Sequence, residues 1–562
     1  MRRVLILGLS CVLAGSFTAP VTADTLSGSY LSARHADNMN DYAAATQFFN
    51  KVLTYDSDSA SLHNDAVMAF IMRGDFEAAL DWIDAPDNRN EMSRMSRLIT
   101  LTQAIRAGYW DDAANFLKQD APLMSPLTVD LLGGWIAAGQ GDQAQAQSLF
   151  DELGREGLGL VGQYHKALAY ALDGDLTSAL DIMDGDAAGP LHLDRVSIAA
   201  HAKMAAAAGD SARAIEIIQN ADPNGTDLTL AGLLSDLQTG GSVGFDTVIS
   251  AQEGTAEVYR MLANLLSTED NSDASLIYAR LSQFLNPDQA DVNLVIGDIL
   301  RQRENFVLAS EELSKVDTKH PLFPVAEMTR ADALADAGEV EASIEVLQGL
   351  SRQLPDRADV RVSIGDVLRM EKRFDEAEGH YTKALDLMDA SSEDAWRVHY
   401  VRGITRERTD QWPLAEQDFR RSLELEPDQP FVLNYLGYSL VEQNRNLDEA
   451  LQMIRTAVEQ LPEDGYITDS LGWAYYRLGR YQEAVEPMER AASLVATDPI
   501  INDHLGDVYW MVDRKREARF QWRRALSFKP DAEEVPKIRR KLEIGLDAFL
   551  EEEEARETAS TD

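Results

Sequence analysis

Small and large apolar residues return along this chain at fixed offsets within a unit of 34 residues, and each unit is patterned as two amphipathic helices joined by a short turn. Residues 499–532 show the pattern best. Leu505 and Gly506 stand at positions 7 and 8 of the unit, Tyr509 at 11, Ala518 at 20, Trp522 at 24, Ala525 at 27 and Pro530 at 32. Residues 465–498 repeat it with Leu471, Gly472, Tyr475, Ala484, Met488 and Ala491.

The register holds upstream. Residues 430–464 place Leu436, Gly437, Ala450, Ile454, Ala457 and Pro462, with one extra residue in the turn Asn444-Arg445-Asn446-Leu447. Residues 396–429 supply Gly403, Ala415, Phe419 and Pro427, and residues 358–391 supply Gly365, Ala377, Tyr381 and Ala384. Looser copies begin near Ala256, Ala290 and Pro324, keyed by Gly297, Ala309, Pro287, Pro321 and Pro355. Eight units therefore span 256–532, interrupted by one four-residue insertion and the extra turn residue.

The offsets have a steric meaning. At positions 8, 20 and 27 two helices cross closely, so only Gly, Ala or Ser fits, and a large residue at 24 fills the gap that remains. Proline at 32 has no N–H to donate and stops the helix. The pattern resembles the tetratricopeptide repeat (TPR), which implies an all-α solenoid, a right-handed superhelix of helix-turn-helix units whose stability comes from stacking on neighbours. No period-2 alternation bounded by hairpin turns argues for strands.

The first half reads as a degenerate version of the same unit. Turns at Asn40-Asp41, Gly74-Asp75, Gly108-Tyr109, Gly141-Asp142, Gly174-Asp175 and Gly209-Asp210 each lead to an alanine a few residues on, and residues 24–221 accommodate six units. Residues 222–255, with Asn224-Gly225 and Gly240-Gly241, are expected to be a linker or bend. Residues 533–550 are expected to form one capping helix, and 551–562 a disordered acidic tail.

Residues 1–23 have the layout of a secretory signal peptide: Arg2-Arg3, an apolar run from Val4 to about Ala14, and Val21-Thr22-Ala23 before the expected cut. The apolar run is too short to span a bilayer, and no later stretch predicts a transmembrane segment. The single cysteine, Cys11, follows Gly8-Leu9-Ser10, with glycine where a lipobox wants leucine. The expected location is the periplasm, with outer-membrane association as the alternative. Cleavage after Ala23 would leave a chain with no thiol chemistry and no disulfide.

The formal charge of −42 opposes nucleic acids and anionic lipid surfaces and favours basic partners, although an acidic face also keeps a long solenoid soluble. No catalytic constellation emerges. The run Gly157-Leu158-Gly159-Leu160-Val161-Gly162 matches G-x-G-x-x-G but follows a helical pattern rather than a strand, and is expected to be an interhelical loop. The nine histidines lack metal spacing; His35, His63, His165, His201 and His504 fall on repeat helices. The reading is of a protein that is no enzyme and takes neither cofactor nor metal.

In TPR proteins, the resemblance implies, positions 2, 5, 9 and 12 of the first helix line the concave face. Here they carry Arg397 and Tyr400; Phe431, Asn434 and Tyr438; Tyr466, Asp469, Trp473 and Tyr476; and Asp503, Asp507 and Trp510. The repeat does not require aromatics there. Either they form a protein-binding strip of rigid rings and polar neighbours, or adjacent helices and the capping helix cover them. A carboxylate clamp is disfavoured, because acids stand where lysine would be needed.

The last two repeats also resemble the C-terminal repeats of exported TPR adaptors of Gram-negative envelopes. That likeness implies a non-enzymatic periplasmic scaffold that binds proteins or peptides, and extends to an adaptor for an envelope protease or cell-wall machinery. The rival is a TPR component of an exopolysaccharide export or glycosyltransferase system.

Overall fold

The computed structural model describes residues 25–561 except 56–59, 85–92, 122–123, 154–158, 186–188, 268–271, 390–391 and 393. The leader pattern of 1–23, with Cys11, lies outside the described residues. So do Gly157 and Leu158 of the glycine-rich run. The described residues form 31 helices and no strand, and the fold is an all-α solenoid of helix pairs.

The turns explain why the pairs could be read at all. In the first half, a glycine takes the left-handed conformation after one helix and an aspartate caps the next. Gly74 has φ +90° and the Asp75 side chain accepts from the Ala78 N–H; Gly209 has φ +90° and Asp210 accepts from the Arg213 N–H. Further on, polar side chains take over the left-handed position, among them Lys372, Asp410 and Asp513. The extra residue before Leu447 produces a turn with two such residues, Asn444 at φ 55° and Asn446 at φ 46°.

The chain divides into two compact units, Met1–Leu347 and Gln348–Asp562. In the first, paired helices run from Leu26–Asn38 to Ser211–Ala221. The segment expected as a linker is different: it carries the helix Leu228–Gln238, and the following helix, Ala251–Ser267, starts before the predicted repeat boundary. That helix and Ser272–Leu285 then pack on Ala60–Arg73, Arg94–Arg106, Pro126–Gly139 and Gly159–Leu172, each the first helix of its pair. Gly254 lets Ala251–Ser267 come in close, since a Cβ there would lie 2.3 Å from the Trp135 ring. Thr102 Oγ1 and Tyr259 Oη (2.9 Å), and Tyr164 Oη donating to Glu257 Oε1 (3.0 Å), tie the layers together. Buried Arg280 adds an ion pair to Glu312 at 2.7 Å. The face that these four first helices would present as a groove is thus packed against the chain's own helices.

Gly162, expected in a loop, is in the helix Gly159–Leu172 instead. Its missing side chain lets that helix approach the Phe150 carbonyl, 2.2 Å from where a Cβ would sit.

The second unit holds five consecutive pairs, from Ala358–Met370 with Phe374–Leu387 to Pro499–Met511 with Lys515–Ser527. Position 8 meets position 24 in each. A Cβ on Gly365 would sit 2.5 Å from Tyr381, on Gly403 2.6 Å from Phe419, and on Gly506 2.4 Å from Trp522. Gly134 and Phe150 repeat the relationship in the first unit at 2.3 Å.

Two helices close the chain where one helix and a disordered tail were expected: Glu534–Ile544 and Leu546–Thr561. Gly545 breaks them at φ +86°, because the Trp510 ring occupies the space a side chain would need, 2.5 Å from its Cβ position. Leu546 and Phe549 are buried, and Arg540 bridges to Glu552 at 2.6 Å, so the acidic segment continues as helix.

Candidate functional site

The candidate site is a cleft of about 380 Å³ in the second unit. Its walls come from the first helices of consecutive repeats: Glu407 at the end of Ala395–Glu407; Asn434, Tyr435, Tyr438, Ser439 and Glu442 on Pro430–Glu442; Tyr466, Asp469 and Ser470 on Gly465–Arg477; and Ile500 and His504 on Pro499–Met511. Helix starts are fixed locally. Asp464 caps the Gly465 helix by accepting from the Tyr466 and Ile467 N–H groups, and Asp498 caps the Pro499 helix in the same way through Ile500 and Ile501.

Four of the residues singled out from the sequence line this cleft: Asn434, Tyr438, Tyr466 and Asp469. Tyr466 is 58% exposed. Phe431 is exposed as well but does not line the cleft. Asp469 is only 6% exposed; its Oδ2 lies 2.9 Å from His504 Nδ1, and its Oδ1 has no hydrogen-bond partner. Asn434 Oδ1 is likewise buried without a partner. Burial pushes the Tyr438 phenol well above its ordinary range, with Glu442 and Asp469 adding to the rise, so the ring presents a neutral hydroxyl.

The other predicted groove residues serve the packing. Tyr400 sits against Phe419 and Tyr435, with centroids 6.2 and 5.9 Å apart. Trp473 is stacked between Tyr476 (4.6 Å) and His504 (4.0 Å), and its indole N–H donates to Glu442. Trp510 is covered: its Nε1 donates to Asp547 at 2.9 Å and its ring lies beside Trp522 at 5.4 Å. Asp503 and Asp507 accept from Lys541 Nζ at 2.8 and 2.7 Å, and Asp507 also accepts from Trp522 Nε1 at 2.9 Å. The expected acidic lining at these two sites is therefore already occupied, because the helix Glu534–Ile544 lies over the first helix of the last repeat.

The electrostatics follow from two carboxylates sharing one buried ammonium. Burial pushes the Asp507 carboxyl up to about 6, with Lys541 opposing and Asp503 adding to the rise, while the two acids outweigh burial and hold Lys541 firmly protonated. At His504, burial would lower the pKa, but Asp469, Asp503 and Asp507 together raise it above 6.5.

Sequence reasoning missed Tyr435, Glu442, Ile500 and His504 as parts of the site. Ile500 was legible in principle, since it stands at position 2 like Phe431 and Tyr466. Among the described residues, no group of three His, Cys, Asp or Glu side chains could hold a metal ion, and no helix is long and apolar enough to cross a membrane.

The tetratricopeptide repeat family profile matches residues 328–395 and 435–499. With the helix pairs in the same register, the chain contains tetratricopeptide repeats. It is similar to a TPR repeat-containing protein of Pseudomonas aeruginosa, 27% identical over 197 residues, which are 35% of this chain and 32% of that protein. A lipoprotein NlpI homologue of Haemophilus influenzae is 34% identical over 95 residues, 17% of this chain and 30% of that one. The chain spans about a third or less of the length of the curated relatives it matches. Among solved structures, one of the APC/C hetero-tetramer Cut9–Hcn1 covers 93% of this chain and 97% of its own at 16% identity, with a TM-score of 0.40.

Proposed function

We propose that this protein is a non-enzymatic adaptor of the cell envelope that captures a peptide segment of another protein in the cleft between Asn434, Tyr438, Tyr466 and Asp469. The observation that carries this reading is the combination of an exposed ring, Tyr466, with two buried acceptors that have no donor, Asn434 Oδ1 and Asp469 Oδ1, in one cleft. Buried acceptors are normally satisfied, and backbone or side-chain N–H groups of a peptide would satisfy these. In the first unit, four first helices, Ala60–Arg73, Arg94–Arg106, Pro126–Gly139 and Gly159–Leu172, pack on the residues of Ala251–Leu285 instead.

The envelope assignment rests on the leader pattern of residues 1–23 and on the likeness to a protein whose name marks a lipoprotein. Sequencing the mature N-terminus tests it: Asp24 is expected first, and an intact Met1 would contradict export. Binding is tested with purified wild type and a Tyr438→Ala/Tyr466→Ala variant as bait. The variant should capture the partner at least about ten-fold less well, as for interface anchors, with its circular dichroism unchanged. Equal capture by both would move binding away from the cleft.

A further inference from the structure

We propose that the cleft recognises a lysine side chain of the bound segment, with Asp469 as the acceptor of its ammonium group. This rests on the reading of the cleft as a peptide site and specifies the chemistry of the peptide.

The molecule carries an internal precedent. Position 5 of the first helix holds Asn434, Asp469 and Asp503 in three successive repeats. At the last of these the occupant is visible: Lys541, from the chain's own helix Glu534–Ile544, sets its Nζ 2.8 Å from Asp503 and 2.7 Å from Asp507. One repeat earlier the equivalent acid, Asp469, is buried; His504 holds its Oδ2, and its Oδ1, like that of Asp503, has no donor. One repeat before that, Asn434 is half-buried and its Oδ1 has no donor either.

Two unsatisfied acceptors lining one cleft call for a group rich in donors and free of acceptors, and an ammonium carries three donors and no acceptor. An arginine fits less well. A guanidinium gains most by gripping both oxygens of one carboxylate, and Asp469 Oδ2 is already held by His504 at 2.9 Å. Tyr438, Tyr466 and Ile500 line the same cleft and supply apolar walls for a four-carbon stem. The net charge of −42 steers a basic segment toward the protein.

The test begins with a phage-displayed library of random dodecamers panned on the full chain. Peptides that also bind the Tyr438→Ala/Tyr466→Ala protein are discarded. The survivors are synthesised and titrated with each lysine unmodified, acetylated on Nε, or replaced by arginine. A lysine fixed at one position is expected, with acetylation weakening binding about ten-fold or more, as for a buried charge partner, and arginine weakening it to a lesser degree. Asp469→Asn should weaken the lysine peptide and leave the acetylated one unchanged. Acetylation on the unaltered protein decides the matter even where that variant misfolds. Peptides that need Tyr438 and Tyr466 yet lack a fixed lysine, or tolerate its acetylation, would overturn the lysine assignment and leave the peptide site standing. Panning that returns no peptide dependent on those two tyrosines would overturn the peptide site itself.

Discussion

Gly506 and Trp522 stand one on each helix of the last repeat, and the indole occupies the place of a side chain: a Cβ on Gly506 would lie 2.4 Å from Trp522 Nε1 and 3.2 Å from the Ala518 carbonyl. The ring cannot step aside cheaply, since its N–H is bonded to Asp507 at 2.9 Å. In the preceding repeat, Gly472 faces Met488, whose Cγ would be 2.6 Å from the added atom. Methionine is unbranched and adapts. Gly506→Ala should therefore destabilise by roughly 1–3 kcal/mol and Gly472→Ala by distinctly less. Urea denaturation of the two variants checks the order, and the reverse order would contradict the packing account.

Lys541 is buried between Asp503 and Asp507. Replacing it by methionine leaves two acids facing each other without a counter-charge, and should cost about 3–5 kcal/mol, the range for breaking a buried pair. Adding Asp503→Asn and Asp507→Asn to the same chain should recover part of that loss. Thermal melts of the single and triple variants measure it.

Trp510 and Tyr466 hold groove positions of adjacent repeats but should behave oppositely. Trp510→Ala removes a covered ring that packs on Gly545 and Trp522 and should destabilise by about 3–5 kcal/mol. Tyr466 is 58% exposed, so Tyr466→Ala should leave stability within about 0.5 kcal/mol and reduce partner binding instead. Melting curves and binding titrations on the same two preparations separate the effects.

His504 gives a pH dependence of definite sign. Its pKa in the folded protein is raised above 6.5, because Asp469, Asp503 and Asp507 outweigh burial. A raised folded pKa means stability that is complete below the unfolded value and is lost as pH rises through the folded one. The stability difference between wild type and His504→Asn should therefore be fully present below pH 6.5 and shrink as the pH rises above it. Asp507, pushed up to about 6, acts in the same sense at lower pH, losing its contribution as pH rises from 3.8 toward that value. Denaturation of both proteins across this range checks the slope, and a difference that grows with pH would contradict it.

The sequence made the repeat legible because glycine at position 8 and a large residue at 24 are contact partners: Gly365 with Tyr381 and Gly403 with Phe419 are steric facts written as spacing. The turns were equally plain, since Gly74-Asp75 is a left-handed residue followed by a cap. Contacts distant in the chain were not legible. Nothing local says that Gly254 admits the ring of Trp135, so residues 251–255 read as the end of a linker and the packing of Ala251–Ser267 on earlier first helices was not visible. Periodicity also placed Asn434, Tyr438, Tyr466 and Asp469, which line one cleft, on a common face while leaving Trp510 there too. Its burial depends on the helices after Gly545, which a register confined to the repeats does not see.

The central claim is that the cleft of the C-terminal repeats, rather than another face, meets the partner. It is tested most directly by placing a photo-crosslinking amino acid at Tyr466 or Ile500 in the cleft and, as control, at Phe520, which is 60% exposed on the second helix of its repeat. Irradiation in cells of the source organism should give a discrete adduct from the two cleft positions and none from Phe520. An adduct from Phe520 alone, or the same adduct from all three positions, would contradict the account.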